Sequence, residues 1–277
     1  LSKLIAQDVP LFLSLLADIF PGITASQEPK HGNIDRALEG VLEAHRLTSC
    51  ATWIMKLKQL HDITMVRHGV MLVGPAGSGK TTIVQCLQDV LTSTTNVVHR
   101  RVRLNPKAIR AEEMFGETDH LTGEWLDGVF AAMWAKYNDR HRKDIVWIVC
   151  DGPVDALWIE NLNTVLDDNK ILTLANGDRI PMTDNVKLLF EVEDLRNASP
   201  ATVSRAGVIF VSDTDLNWSP IVESWLQRKA EGIQQLLHKL ILKYIGDCNS
   251  LNPSGHLFQF IGRNTHPVMN IARVGYM

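Results

Sequence analysis

The pattern of apolar positions divides the chain into a helical beginning, an alternating middle and a helical end. Residues 1–65 are predicted to be helical, because apolar side chains repeat every three or four residues, first over 11–19. Pro21 and Gly22 end that first repeat. The period then changes, because Gly69–Val73 is a short continuous apolar run, which is typical of a buried parallel strand.

Runs of both kinds alternate through the middle of the chain, which predicts an α/β fold with a parallel sheet flanked by helices. Further strands are predicted over 97–104, 145–150, 186–190 and 208–211, and helices over 80–91, 111–115, 125–137, 156–166 and 218–244. Asn176 and Gly177 lie between two short apolar runs and predict a hairpin turn. The predicted divisions are a helical approach over 1–65, a nucleotide-binding α/β subdomain over 66–216, and a small helical subdomain over 217–277.

Composition indicates an ordinary globular protein of one or two domains. The chain has 277 residues, 45% hydrophobic and 21% charged, with a formal net charge of −3. These values exclude disorder and a strong attraction for polyanions. The basic run 100–103 is interpreted as a solvated strand or loop edge instead of a phosphate-binding patch, so no nucleic-acid partner is predicted.

Cysteine usage and hydropathy favour a reducing, intracellular compartment. The four cysteines have no paired spacing that would suggest a metal knuckle or a redox dithiol. The longest apolar stretch, over 9–20, is broken by Ser14 and Asp18 and is too short for a membrane span, so neither a signal peptide nor a membrane anchor is predicted. Because the chain begins at Leu1, we expect it to be part of a longer polypeptide.

A glycine-rich segment between the first strand and the following helix matches the phosphate-loop pattern G-x-x-x-x-G-K-[ST] without a gap. Its residues are Gly74, Pro75, Ala76, Gly77, Ser78, Gly79, Lys80 and Thr81. In such a loop the backbone N–H groups and the helix N-terminus hold the phosphates of ATP or GTP. Lys80 would neutralise phosphate charge, Thr81 would bind Mg²⁺, and Thr82 would cap the first helical turn. The alternative is a chance glycine-rich turn.

Asp151 closes the apolar run 145–150, so its carboxylate is expected at the strand edge beside the phosphate loop, within reach of Mg²⁺. An acidic helix cap after an ordinary strand is the alternative. The next residue is Gly152, where many ATPases place a glutamate that activates water, so a general base is absent from that position. Glu160 is interpreted as a solvated helix carboxylate instead of a substitute base.

Longer stretches of the chain resemble the AAA+ modules of dynein heavy chains, in particular the second module of the motor ring. The likeness spans about 1–226 and fades in the last 50 residues, where 262–277 matches nothing expected. The sequence motifs in these stretches are most similar to those of axonemal, outer-arm heavy chains. The segments that carry it are 11–22, 65–79, 105–108, 125–128 and 147–207.

The resemblance implies an AAA+ fold and a role for Arg205, which matches the arginine that one module offers to the nucleotide of its neighbour, here the first module. A surface turn is the alternative for Arg205. At the end of the strand over 186–190, the sequence Leu-Phe-Glu-Val-Glu lacks the asparagine that hydrolytic modules often have. Together with Gly152, this implies that Mg-ATP is bound with little or no hydrolysis. The Asn176–Gly177 hairpin matches an insert that faces the motor linker, or is a plain surface hairpin.

Three hypotheses follow from these residues. The favoured one is an ATP-binding module that contacts neighbouring modules of a dynein heavy chain in the cytoskeleton of the ciliary axoneme, reaching microtubules only through the parent protein. A second is an autonomous P-loop ATPase or kinase. A third is a structural spacer that binds no nucleotide. The presence of Lys80, Thr81 and Asp151 argues against it, because packing alone does not require all three residues.

Overall fold

The computed structural model describes residues 8–20, 32–212, 215–216, 218–245, 260 and 263–264. The helices are α1 Asp8–Ile19, α2 Gly32–His45, α3 Ala51–Val66, α4 Lys80–Thr95, α5 Ala111–Phe115, α6 Val129–Tyr137, α7 Ala156–Ile159, α8 Asn163–Leu166, α9 Pro200–Arg205, α10 Trp218–Leu226 and α11 Glu231–Tyr244. The strands are β1 Gly69–Val73, β2 His99–Leu104, β3 Gly116–Thr118, β4 Trp125–Asp127, β5 Ile145–Asp151, β6 Ile171–Thr173, β7 Arg179–Pro181, β8 Val186–Val192 and β9 Gly207–Phe210.

A five-stranded parallel sheet forms the centre of the fold, in the order β2-β5-β8-β1-β9. The chain order and the spatial order differ, as parallel strands joined by crossovers require. Two small antiparallel sheets, β3 with β4 and β6 with β7, lie outside it. Because the strands are parallel, their carboxyl ends meet at one edge of the sheet, which is where ligands bind in open α/β folds.

Alternate residues of the central strands enter two separate apolar cores, which explains why these strands read as continuous apolar runs. In β5, Val146 and Ile148 join the core on one face of the sheet, whereas Trp147 and Val149 join the core on the other. The first core includes the buried rings of Phe130, Trp134, Trp158 and Phe190. The second core lies beneath α2, α3 and α4, so the helix that follows the phosphate loop rests directly on the sheet.

The helices before and after the sheet differ in how they pack. Helices α2 and α3 contribute Leu38, Trp53 and Leu57 to the second core. Helices α10 and α11 form a smaller cluster of their own around Trp218 and Ile241. Among the described residues, no helix combines the length and the apolar character needed to cross a bilayer. The division into a helical approach, an α/β subdomain and a small subdomain stays a prediction.

The α/β fold with a parallel sheet between helices is confirmed, and most elements lie where the pattern places them. The helix predicted over 125–137 is wrong in its first part, because Trp125–Asp127 is a strand paired with Gly116–Thr118. A side chain at Gly116 would overlap the ring of Trp125, and this close approach has no signature in the periodicity. The predicted helix end at residues 21 and 22 lies outside the described residues.

Helix α9 was not predicted from the sequence. It begins after Ser199, whose hydroxyl accepts a hydrogen bond from the backbone N–H of Thr202, and Pro200 occupies the first turn. Both residues are helix-start signals, but the helix has only six residues and too little length to show an apolar period. Arg205 is its last residue, so the arginine belongs to a helix end.

Candidate nucleotide site

The glycine-rich loop joins the carboxyl end of β1 to the first turn of α4, as the sequence predicts. Gly77 and Gly79 have φ angles of 82° and 84°, in the left-handed region that favours glycine. Gly79 is the N-cap residue of α4 and no side chain caps the helix, so the prediction that Thr82 caps it is wrong. With a glycine cap the first N–H groups of α4 stay available to a bound anion.

Lys80 lies in the first turn of α4 and its ammonium turns back onto the loop. Its Nζ donates to the carbonyl oxygens of Gly74 at 2.6 Å and Pro75 at 2.9 Å. Burial lowers the pKa of Lys80, and the carboxylates of Glu191, Glu193 and Asp151 act in the opposite direction. The lysine can therefore exchange two loop carbonyls for phosphate oxygens without leaving the site.

Two carboxylates stand side by side where β5 and β8 end. Asp151 is the register partner of Glu191, and the backbone N–H of Gly152 donates to the carbonyl of Glu191 at 3.2 Å. Glu191 is buried, with 2% of its side chain exposed, whereas 48% of Asp151 is exposed. The hydroxyl of Thr81 donates to Oε2 of Glu191, so the two carboxylates and the threonine form one cluster.

Arg103, the next-to-last residue of β2, holds this cluster together. Its Nη2 lies 3.1 Å from Oδ2 of Asp151 and 3.3 Å from Oε2 of Glu191. The same nitrogen donates to the hydroxyl oxygen of Thr81 at 3.2 Å. The interpretation of run 100–103 as a solvated strand edge is confirmed, because β2 is an edge strand and Arg103 is exposed, but the guanidinium of Arg103 also contacts the carboxylates of the site.

A cavity of about 630 Å³ extends from the phosphate loop towards α10, a volume in the range of small-molecule sites. Its lining includes residues of the loop, Asp151 and Glu191. Apolar side chains with three polar neighbours also line it: Leu47, Trp53, Leu216, Pro220, Ile221 and Trp225, with Thr48, Ser224 and Arg228. The loop would hold polar phosphates, and a flat base would pack against the apolar side chains.

The position after Asp151 lies close to the side chain of Asn105. A Cβ atom on Gly152 would lie 2.8 Å from Oδ1 of Asn105, an oxygen that accepts the backbone N–H of Lys107 at 3.0 Å. Any larger residue would therefore require Asn105 to move. Glu160 is exposed and belongs to a 3₁₀ turn after α7, in agreement with its interpretation as a solvated carboxylate.

Arg205 does not line this cavity. It lies at the end of α9, where its Nε donates to Oδ1 of Asp167, the residue after α8. Each of the two side chains is 35% exposed. The predicted site residues therefore fall into two places, with the loop, Thr82 and Asp151 at the cavity and Arg205 on another part of the surface.

Sequence reasoning missed Glu191 and Arg103. A signal for both exists in the alternation of strand residues, since Glu191 follows Leu189 by two positions and Leu189 faces the core beneath α4. Arg103 is paired in register with Val149, which faces the same core. Charged residues at the carboxyl ends of strands on the α4 face were therefore candidates for the site, but the sheet order was needed to bring them together.

Known proteins resemble the chain over most of its length. Residues 1–81 match the family described as the hydrolytic ATP binding site of the dynein motor region, and residues 69–206 match the AAA domain of the dynein-related subfamily. The gamma chain of the flagellar outer-arm dynein of Chlamydomonas reinhardtii is 48% identical over 269 residues, which are 97% of this chain and 6% of that protein.

Two mouse relatives show the same relation. Dynein axonemal heavy chain 8 of Mus musculus is 45% identical over 264 residues, which are 94% of this chain and 6% of the relative. Dynein axonemal heavy chain 5 of Mus musculus is 47% identical over 247 residues, 89% of this chain and 5% of the relative. The chain thus spans about one twentieth of these relatives. The chain belongs to the dynein heavy-chain family and corresponds to its AAA ATP-binding motor region.

Proposed function

We propose that this chain is the second ATP-binding module of an axonemal dynein motor ring. In this proposal it holds Mg-ATP with little or no hydrolysis and lends Arg205 to the nucleotide site of the neighbouring module. The observation that carries the proposal is the combination of a complete phosphate loop with a glycine at the position where a general base would stand.

The first part of the proposal, ATP binding, rests on the arrangement of side chains around the phosphate loop. The glycine-capped N-terminus of α4 and the ammonium of Lys80 offer positive charge to phosphates. Thr81 and Asp151 offer the hard oxygen ligands that Mg²⁺ prefers, and one oxygen of Glu191 has no hydrogen-bond partner among the described residues. These groups fit a magnesium ion, which Thr81 and Asp151 would hold and which would neutralise phosphate charge.

The second part of the proposal, that bound ATP is hydrolysed little or not at all, rests on Gly152. Attack on the γ-phosphate needs a group that orients or deprotonates water, and glycine has no side chain for this task. The family description that mentions hydrolysis matches only as far as Thr81, and so does not include this position. Oε2 of Glu191 accepts hydrogen bonds from Thr81 and Arg103, so this oxygen is occupied by groups of the proposed metal site.

The third part of the proposal, the arginine finger, rests on the position and the partner of Arg205. The arginine ends a helix, lies away from the local cavity, and is only partly covered. Asp167 accepts a hydrogen bond from its Nε, and this contact does not involve the terminal nitrogens of the guanidinium. An arginine supplied in trans to a neighbouring site stabilises the charge of the transition state.

The surroundings of the module follow from the relatives. The relatives are named as axonemal or flagellar heavy chains, so we place the parent protein in the cytoskeleton of the ciliary axoneme. Neighbouring modules of the same heavy chain are its direct partners, and microtubules are reached only through the parent protein. The exposed hairpin of β6 and β7, which turns at Asn176 and Gly177, is the surface that we assign to the motor linker.

The test is steady-state ATP hydrolysis by the 277-residue chain and its Gly152→Glu variant, with ATP binding measured in parallel. We expect the unmodified chain to bind Mg-ATP and to turn it over far below the roughly 1 s⁻¹ at which ordinary enzymes begin. Turnover at or above that rate would favour an autonomous P-loop enzyme. A folded chain that binds no ATP would favour the structural spacer.

Gly152→Ala is the matched control for Gly152→Glu. Both variants place a Cβ atom against Oδ1 of Asn105, so both carry the same local displacement. Only the glutamate adds a carboxylate. A gain of turnover in Gly152→Glu that Gly152→Ala lacks would identify the missing base as the reason for slow hydrolysis.

A further inference from the structure

The guanidinium of Arg103 touches both of the groups that we assign to magnesium. Its Nη2 lies 3.2 Å from the hydroxyl oxygen of Thr81 and 3.1 Å from Oδ2 of Asp151. A cationic nitrogen at hydrogen-bond distance from both oxygens repels a metal ion that approaches the space between them. Arg103 and Mg²⁺ therefore oppose each other at these two oxygens.

Glu191 explains why a cation is needed at this place. Its carboxylate is 2% exposed, lines the cavity, and has one oxygen, Oε1, without a hydrogen-bond partner in the described part of the chain. A buried carboxylate beside a second one, here Asp151, is costly unless a positive charge faces it. Arg103 supplies that charge through Oε2.

Glu191 also orients Thr81. The threonine hydroxyl donates its proton to Oε2 of Glu191, so its oxygen lone pairs are left for another partner, now the Nη2 donor of Arg103. Outer groups of this kind set the orientation and affinity of a metal ligand. The pair Arg103 and Glu191 thus acts on both the charge and the geometry of the proposed metal site.

We propose that Arg103 competes with Mg²⁺ for the oxygens of Thr81 and Asp151, so that it sets the magnesium concentration at which this module binds ATP tightly. Glu191 is the positioning residue that keeps Thr81 and Arg103 in this arrangement. The inference rests on the proposed function, because it concerns the metal dependence of the same nucleotide site.

The experiment follows binding of a fluorescent methylanthraniloyl derivative of ATP to the 277-residue chain, first in EDTA and then at rising MgCl₂. The midpoint of the magnesium titration is compared between the unmodified chain and Arg103→Gln. We expect Arg103→Gln to lower the midpoint on the order of tenfold, the effect of removing one charge-assisted hydrogen bond.

Arg100→Gln is the matched control. Arg100 lies on the same strand and carries the same charge, but it pairs with Asp144 and 65% of its side chain is exposed. Its midpoint should equal that of the unmodified chain. Arg103→Lys keeps a positive charge should the fold require one, and its midpoint should also lie below that of the unmodified chain, because lysine cannot reproduce the planar contacts of arginine.

The outcomes separate the two proposals. A midpoint that is unchanged or higher in Arg103→Gln, or in Arg103→Lys if the glutamine variant does not fold, overturns the competition while leaving ATP binding intact. Equal lowering in Arg100→Gln overturns it as well, because the effect would then reflect net charge alone. Failure of the folded, unmodified chain to bind the nucleotide in either condition overturns the proposed function and this inference with it.

Discussion

Two regions of the molecule each hold an arginine against a carboxylate, and the two carboxylates differ in exposure. In the nucleotide site Arg103, itself 42% exposed, faces Glu191, a carboxylate that is almost completely buried. At the end of α9, Arg205 and Asp167 are each 35% exposed. A buried carboxylate needs its cation in the folded chain, whereas an exposed pair separates at small cost. Arg103 is therefore suited to a role within its own nucleotide site, and Arg205 is suited to the proposed contact with a neighbouring module.

The sharpest way to break this comparison is to remove Arg205 from the full heavy chain. Arg205→Ala should lower the microtubule-stimulated ATPase of the parent motor by roughly 10³- to 10⁵-fold at the neighbouring site, because an arginine finger supplied in trans contributes that much. The measurement is steady-state phosphate release. ATP binding at Lys80 should persist, and an unchanged rate would remove the finger assignment.

Lys80→Met tests the nucleotide site itself. We expect the affinity of the 277-residue chain for Mg-ATP to fall roughly 10- to 100-fold, as the loss of a charge-assisted contact to phosphate predicts. Titration calorimetry measures the affinity. Lys187→Met is the control, because burial also lowers the pKa of Lys187, but its ammonium donates to the carbonyl of Thr64 at 3.2 Å and lies outside the cavity lining. Equal losses in both variants would contradict the assignment.

Gly79→Ala tests the shape of the loop. The left-handed φ of 84° costs an L-residue about 1–2 kcal/mol, and the new Cβ atom would lie 2.7 Å from Nε1 of Trp53. We expect the free energy of unfolding in urea to fall by at least that amount, with weaker ATP binding. Gly177→Ala has a similar φ of 91° with no atom within 4 Å, so it should lose stability but keep ATP affinity. Weaker binding in Gly177→Ala would contradict the local explanation.

Asp167→Asn should give the smallest effect. The pair with Arg205 is partly exposed, so the free energy of unfolding should change by less than about 1 kcal/mol. In the full heavy chain the ATPase should fall several-fold without reaching the loss expected for Arg205→Ala, because the arginine remains present but is no longer held. A thermal-melting shift as large as that of a core truncation would show that the pair is structural.

The sequence predicted the secondary structure well where the apolar pattern is long. It predicted the secondary structure poorly where a single close contact or a very short element determines the local structure. Gly69–Val73 and 145–150 read clearly because both faces of these strands are buried. The hairpin at Trp125 depends on a ring packed over a glycine 9 positions earlier in the chain, and helix α9 is too short to show a period.

The candidate site was predictable in the same uneven way. A loop motif is local, so the residues from Gly74 to Thr81 could be assigned from their order alone. Arg103, Asp151 and Glu191 come from three strands whose neighbourhood depends on the order of the sheet. From the sequence, the strand end that contains Glu191 was interpreted only as missing a polar sensor. In the structure the carboxylate of Glu191 is buried and contacts Thr81. The partner of Arg205, Asp167, also lies 38 positions away along the chain.

The central claim, that this module holds ATP without cleaving it, is tested most directly by the identity of the bound nucleotide. The 277-residue chain is loaded with a stoichiometric amount of radiolabelled Mg-ATP, incubated for an hour, denatured in acid and analysed by chromatography. We expect the label to be recovered chiefly as ATP from the unmodified chain, and much less bound label to be recovered from Lys80→Met. Recovery of the bound label as ADP from the unmodified chain would contradict the account.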